Sequence, residues 1–178
     1  MKNFKDKTIL VTGGTGSFGT FITKELLKHN PKEIRVYSRD EEKQLDMNRA
    51  FSEPKIKFII GNVRDYDRVC EATQDVDIIY HAAALKIVPQ CETHPMEALK
   101  TNVHGTANVK KAAIYHNVPK SILISTDKAV KPVNLYGMTK SIAEKIWINN
   151  QFKTTKFSVV RYGNVIGSRG SVIPFFKN

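Results

Sequence analysis

A chain of 178 residues, 41% hydrophobic and 25% charged, can bury the core of one domain and has the composition of a soluble globular protein. It has no apolar run long enough to span a membrane, and its opening MKNFKDKTILVTGG lacks an apolar leader with a cleavage site, so a cytoplasmic protein without membrane partners is expected. The net charge of +11 is spread along the chain with neither a Lys/Arg block nor aromatic-basic interleaving, which argues against nucleic acid and fits a basic surface or an anionic, phosphate-bearing small molecule.

In chain order, the strand-like run KTILVTG leads into a helix over about 17–28, then EIRVYS, a helix over about 41–50, and KIKFIIG. The second half continues with VDIIYHAA, a long helix over about 95–116, SILIST, a helix over about 136–150, and KFSVVRYGN. Six strands joined by five crossovers, one of them short, predict an α/β fold: a Rossmann-type doubly wound parallel sheet in one domain. Pro95 suits the first turn of its helix, where a missing N–H costs nothing, while Asn30-Pro31 and Asn117-Val118-Pro119 stop the helices before them. Cys70 and Cys91 lack a CxxC spacing and read as inert thiols. The five histidines form no ligand cluster, so no metal is expected.

The segment TGGTGSFG follows the first strand directly and opens a helix, placing Gly13, Gly16 and Gly19 three apart. That context supplies a tight turn, close backbone approach to a pyrophosphate and a helix N-terminus aimed at negative charge, with Thr15, Ser17 and Phe18 filling the loop. After the second strand comes YSRDEEKQ. Ser38 and Arg39 suit the 2′-phosphate of NADP, the expected cofactor, whereas Asp40 one place on would suit the ribose of NAD. Asn62 and Val63, in GNVRD, are candidates for the adenine edge. In HAAALK, the small Ala82 and Ala83 would let the nicotinamide ribose pass close to the backbone, Lys86 is counted with both cofactor and substrate contacts, and His81 reads as a packed strand-end residue.

STDKAVKPVNLYGMTK, from Ser125 to Lys140, gathers proton-handling groups at one strand end. Tyr136 and Lys140 are four apart and share a helix face, so an ammonium beside the phenol would favour its phenolate. Asp127 and Lys128 would need shifted pKa values to act as acid and base, the acid raised and the base lowered by burial. Asn164 and Arg169, in RYGNVIGSRGSV, are candidate contacts to an anionic ligand, Arg169 because a diphosphate matches a guanidinium fork.

These motifs resemble the extended short-chain dehydrogenase/reductase family, and within it the bacterial UDP-N-acetylglucosamine 4,6-dehydratases of the C5-inverting type. The resemblance implies that Tyr136 and Lys140 form the dehydrogenase pair and also touch the cofactor, that Thr126 lies beside the sugar hydroxyl, and that Asp127 with Lys128 is the dehydration pair. It further implies a UDP-sugar substrate, a supporting role for Asn102 in its helix, and a homo-oligomer assembled through the two long helices. The sister group that also epimerises C3 carries Met where this chain has Tyr136. The chain stops at VIPFFKN, where the family's substrate lobe begins, so that lobe is expected to be largely absent and a dinucleotide-binding fragment or sensor without turnover is the second expectation.

Overall fold

The computed structural model describes residues 4–149 and 154–163. Six strands, β1 (Thr8–Thr12), β2 (Glu33–Ser38), β3 (Ile56–Ile60), β4 (Ile78–His81), β5 (Lys120–Thr126) and β6 (Lys156–Tyr162), form one sheet in the order β3-β2-β1-β4-β5-β6. Every neighbouring pair is parallel. Each of the first five strands is therefore followed by a crossover: α1 (Ser17–Leu27), α2 (Glu41–Phe51), α3 (Tyr66–Thr73), then α4 (Val88–Thr93), α5 (Pro95–Ala98) and α6 (Gly105–Tyr115), and finally α7 (Leu135–Ile148).

Alternation along the strands gives the sheet two apolar faces. Ile9 and Val11 of β1 pack with Ile34, Val36, Leu26 and Met47 on the face covered by α1 and α2. Leu10, between them, joins Val69, Val109, Ala112 and Trp147 on the opposite face, under α3, α6 and α7. Helices on both faces make the fold a Rossmann-type doubly wound α/β sheet, as the alternation of elements predicts.

The expected helix over 95–116 is interrupted. α5 passes into a π-helical turn, Leu99–His104, before α6 resumes the tighter pitch. The wider turn lets the Asn102 amide face the loop after β4, where Oδ1 accepts from Leu85 N at 2.8 Å and Nδ2 donates to Leu85 O at 2.9 Å. It also brings Gly105 against Val63, so closely that a Cβ would lie 2.6 Å from Val63 Cγ2. The short α4, with Pro89 in its first turn, was not expected from the apolar pattern because only Cys91 of its residues is buried.

The helix expected to start at Tyr136 begins one residue earlier. Asn134 caps it by accepting from Gly137 N at 2.8 Å, and Glu92 of α4 accepts from Leu135 N at 2.8 Å. Gly137 then lies on the turn that follows β5: a Cβ there would sit 2.2 Å from the Lys128 carbonyl oxygen. That contact fixes the first turn of α7 against Asp127–Ala129.

Candidate active site

Strand order reverses between β1 and β4, so the loops at their C-terminal ends diverge. A cavity of about 730 Å³ opens there. Gly13 forms its floor with φ at +68°, and a Cβ on it would meet Ala83 N at 2.8 Å, so the glycine turn and the loop after β4 touch backbone to backbone. The structure brings into this cavity Gly13, Thr15, Gly16, Ser17, Phe18 and Gly19 from the glycine turn. Ser38 and Arg39 join them from the end of β2, Asn62 and Val63 from the end of β3, and Ala82, Ala83 and Lys86 from the end of β4.

The corner after β2 is built from both charge signs. Asp40 caps α2 by accepting from Lys43 N at 3.0 Å and pairs with the Lys43 ammonium, so its carboxylate is engaged by its own helix. Gln44, buried under the corner, donates to Ser38 Oγ at 3.0 Å and to Ser38 O at 3.1 Å, which fixes the serine while Arg39 remains exposed. Lys43 also lines the cavity and was missed by the sequence reading, although its position three after Asp40 on α2 was legible. Asn62, a candidate for the adenine edge, is held in a local turn in which its amide oxygen accepts from Arg64 N at 3.1 Å.

The proton-handling groups lie at the end of β5. Thr126 is buried, and its hydroxyl donates to Asp127 Oδ1 at 2.9 Å and reaches Tyr136 by a hydrogen bond. Lys128 Nζ lies 3.3 Å from Asp127 Oδ1. Asp127 departs from the expected acid: it is exposed, and the Thr126 hydroxyl, followed by Lys128, holds its carboxyl below the usual value instead of burial raising it.

The Tyr136–Lys140 pair also differs from the expected arrangement. Burial pushes the Tyr136 phenol up to about 12, Tyr162 adds to the rise, and the hydrogen bond with Thr126 works in the opposite direction. Lys140 does not turn toward the phenol. Its ammonium is buried and donates to Ile124 O at 2.7 Å, and desolvation lowers its pKa to about 8 against the opposing pull of Glu144. Glu144, one turn further along α7, is itself buried; it accepts from Ser125 and from Arg161 Nε at 2.9 Å and Nη2 at 2.5 Å. Burial alone would raise this carboxyl, but Arg161 and Ser125 hold it below its ordinary value. Glu144 was legible as a residue four after Lys140 on the same helix; its partners on β5 and β6 were not.

Cys91 is buried and its thiol is pushed up by burial, in keeping with an inert role. Among the described residues no group of His, Cys, Asp and Glu could hold a metal ion, and no helix is long and apolar enough to cross a membrane. Asn164 and Arg169 lie outside the described residues.

The family described as "Polysaccharide biosynthesis protein" matches residues 9–178. An inverting UDP-N-acetylglucosamine 4,6-dehydratase of Campylobacter jejuni is 53% identical over 179 residues, covering 98% of this chain and 54% of that protein. A UDP-glucose 4-epimerase of Rickettsia bellii is also 53% identical, over 183 residues with the same coverages of 98% and 54%. Among solved structures, Pen from Bacillus thuringiensis superimposes with a TM-score of 0.95 at 44% identity, over 99% of this chain and 56% of that one. The chain thus spans about half the length of the relatives it matches.

The buried Lys140 gives stability a defined pH dependence. With a folded value of about 8 against 10.5 in the unfolded chain, the unfolded state holds a proton in that interval that the folded state has released, so this contribution to stability rises with pH. In urea denaturation from pH 7.5 to 10, wild type should gain roughly 1–3 kcal/mol relative to Lys140→Met. A difference that stays constant with pH would contradict a buried, titrating Lys140.

Proposed function

Because this chain belongs to the polysaccharide biosynthesis protein family, we propose that it carries the dinucleotide-binding and proton-transfer site of an NADP-dependent enzyme that dehydrates UDP-N-acetylglucosamine to a 4-keto-6-deoxy sugar with inverted C5. The observation that supports this most is the convergence of two constellations. Tyr162 lines the cavity and lies near enough to Tyr136 to raise its pKa, so the cradle at β1 and β4 and the hydroxyl, acid and base groups at the end of β5 adjoin.

A dinucleotide fits the residues present. Gly13 leaves open the space a Cβ would fill, α1 offers its N-terminus, and Ser38, Arg39 and Lys43 surround the end of β2 with donors and positive charge. Asp40, tied to Lys43 and to the start of α2, leaves the guanidinium as the group suited to a 2′-phosphate. When bound, the cofactor supplies hydride acceptance from the sugar's C4 and hydride return at C6.

The chain's own residues handle the protons. Tyr136 Oη takes the proton of the C4 hydroxyl as it passes its own phenol proton to Thr126 Oγ1, whose single hydrogen is donated to Asp127 Oδ1. The resulting ketone acidifies the C5 hydrogen, which Lys128 Nζ removes as the free amine, after its ammonium has released a proton to solvent. The C6 hydroxyl leaves as water with a proton from Asp127. Asp127 rests as a carboxylate in the absence of substrate, and the Thr126 hydroxyl that holds it so also reaches Tyr136; that hydroxyl provides a route by which the proton taken at Tyr136 Oη reaches Asp127 Oδ1 before C6 departs. Reprotonation of C5 by water on the face opposite Lys128 sets the inverted configuration.

A second reading is a C4 epimerase, favoured by the equally similar Rickettsia relative. It needs Tyr136 and the cradle but gives the Asp127–Lys128 pair no work. Incubating the protein with NADP+ and UDP-N-acetylglucosamine and reading the sugar by NMR separates these: a C5-inverted 4-keto-6-deoxy hexose is expected, a C4 epimer supports the second reading, and cofactor binding without turnover supports a sensor or fragment. Lys128→Ala should lose the deoxy product with NADPH binding intact, and full turnover in that variant contradicts the assignment. Arg39→Ala should weaken NADPH about tenfold to a hundredfold and leave NADH unchanged in fluorescence titrations, since it removes a charge-assisted contact. Equal weakening of both ligands means that Arg39 does not read the phosphate.

A further inference from the structure

His81 is the last residue of β4, fully buried, and its ring stacks on Trp147 with centroids 5.5 Å apart. Both ring nitrogens are partnered: Nδ1 lies 2.6 Å from Thr12 Oγ1 and Nε2 lies 3.0 Å from Thr106 Oγ1. Burial, seconded by the charge of Lys140, pushes its pKa down to about 3, so the imidazole is neutral and has one donor and one acceptor.

The neighbours decide which nitrogen carries the proton. The Thr106 hydroxyl donates to Asn102 O at 2.6 Å, and a carbonyl can only accept. Thr106 therefore shows His81 a lone pair, and Nε2 must be the N–H. Nδ1 is then bare and accepts from Thr12, whose oxygen in turn accepts from Ala83 N at 3.4 Å. One directed path results: Ala83 N–H to Thr12 to His81 Nδ1, then His81 Nε2–H to Thr106 to Asn102 O.

Asn102 carries the path onward. Its side chain grips both backbone groups of Leu85 and donates to Thr139 Oγ1 at 3.0 Å, and Thr139 donates to Tyr136 O at 2.8 Å. The loop from Ala82 to Lys86 is thus held at Ala83 and again at Leu85 by one buried chain that also reaches the first turn of α7.

We infer that His81, as its neutral Nε2–H tautomer, is a positioning residue that sets the loop carrying Ala82, Ala83 and Lys86 against the glycine turn, and so shapes the nicotinamide half of the cradle without touching the ligand. The inference rests on the dinucleotide reading above. It divides the cradle in two, because the adenosine half, at Ser38, Arg39 and Asn62, is held by Gln44, Tyr37 and Arg64 and shares none of these bonds.

Thr106→Val tests this from a residue that does not line the cavity and keeps the side-chain shape. NADPH affinity should fall about threefold to tenfold, while adenosine 2′,5′-bisphosphate, which occupies the adenosine half alone, binds as to wild type. Thr106→Ser should restore NADPH affinity. In the ¹⁵N spectrum of the wild-type protein, His81 should give the Nε2–H pattern unchanged from pH 5 to 9. Unchanged NADPH affinity in Thr106→Val, equal losses for both ligands, or an Nδ1–H pattern would each overturn the positioning role. Wild-type protein that binds neither ligand would instead overturn the dinucleotide reading, and this role with it.

Discussion

The reversal of strand order between β1 and β4 is the constraint on which the rest of the structure depends. Parallel strands leave their connecting loops at the same edge of the sheet, and where the order reverses those loops run apart. The opening is lined by backbone because Gly13 adopts a left-handed conformation and meets Ala83 with no side chain between them. A side chain at Gly13 would both strain the turn and push the two loops apart.

Around this crevice the sheet carries an unusual amount of buried polar structure. Lys140 is held by a main-chain carbonyl of β5, and the next residue of that strand, Ser125, donates to the carboxylate of Glu144. Two consecutive residues of one strand thus clamp two residues a turn apart on α7, while Arg161 of β6 neutralises Glu144 from the other side. Leaving the buried Lys140 or Glu144 unpaired would be costly, so each supports the other's placement. Such mutual dependence sets the height of α7 over β5 and hence the distance between Tyr136 and Thr126. Burial lowers the pKa of Lys140 to about 8, so its ammonium gives up its proton far more readily than an exposed lysine.

Much of this was legible in the sequence where function depends on spacing along the chain. The glycine turn, the Ser38–Arg39 corner and the small residues after His81 follow strand ends, and a parallel sheet places all strand ends on one edge; their meeting in one cavity follows from the topology. Pairings across long separations were not legible. Thr12 and His81 are 69 residues apart and Arg64 and Glu97 33 apart, and nothing in either local pattern names the partner. The direction of Lys140 is a similar case: it stands four residues after Tyr136 on α7, and its ammonium donates to the Ile124 carbonyl of β5. Asp127 was expected to be buried and is exposed, because the turn after β5 buries Ala129 and turns its acid outward.

The central claim is that one crevice serves oxidation at C4 and elimination across C5 and C6. UDP-N-acetylglucosamine deuterated at C4 and incubated with the protein and NADP+ in ordinary water tests it most directly. The account predicts product with the deuterium at C6 and a solvent proton at C5. Deuterium that stays at C4, in unchanged or C4-epimerised sugar, would contradict it.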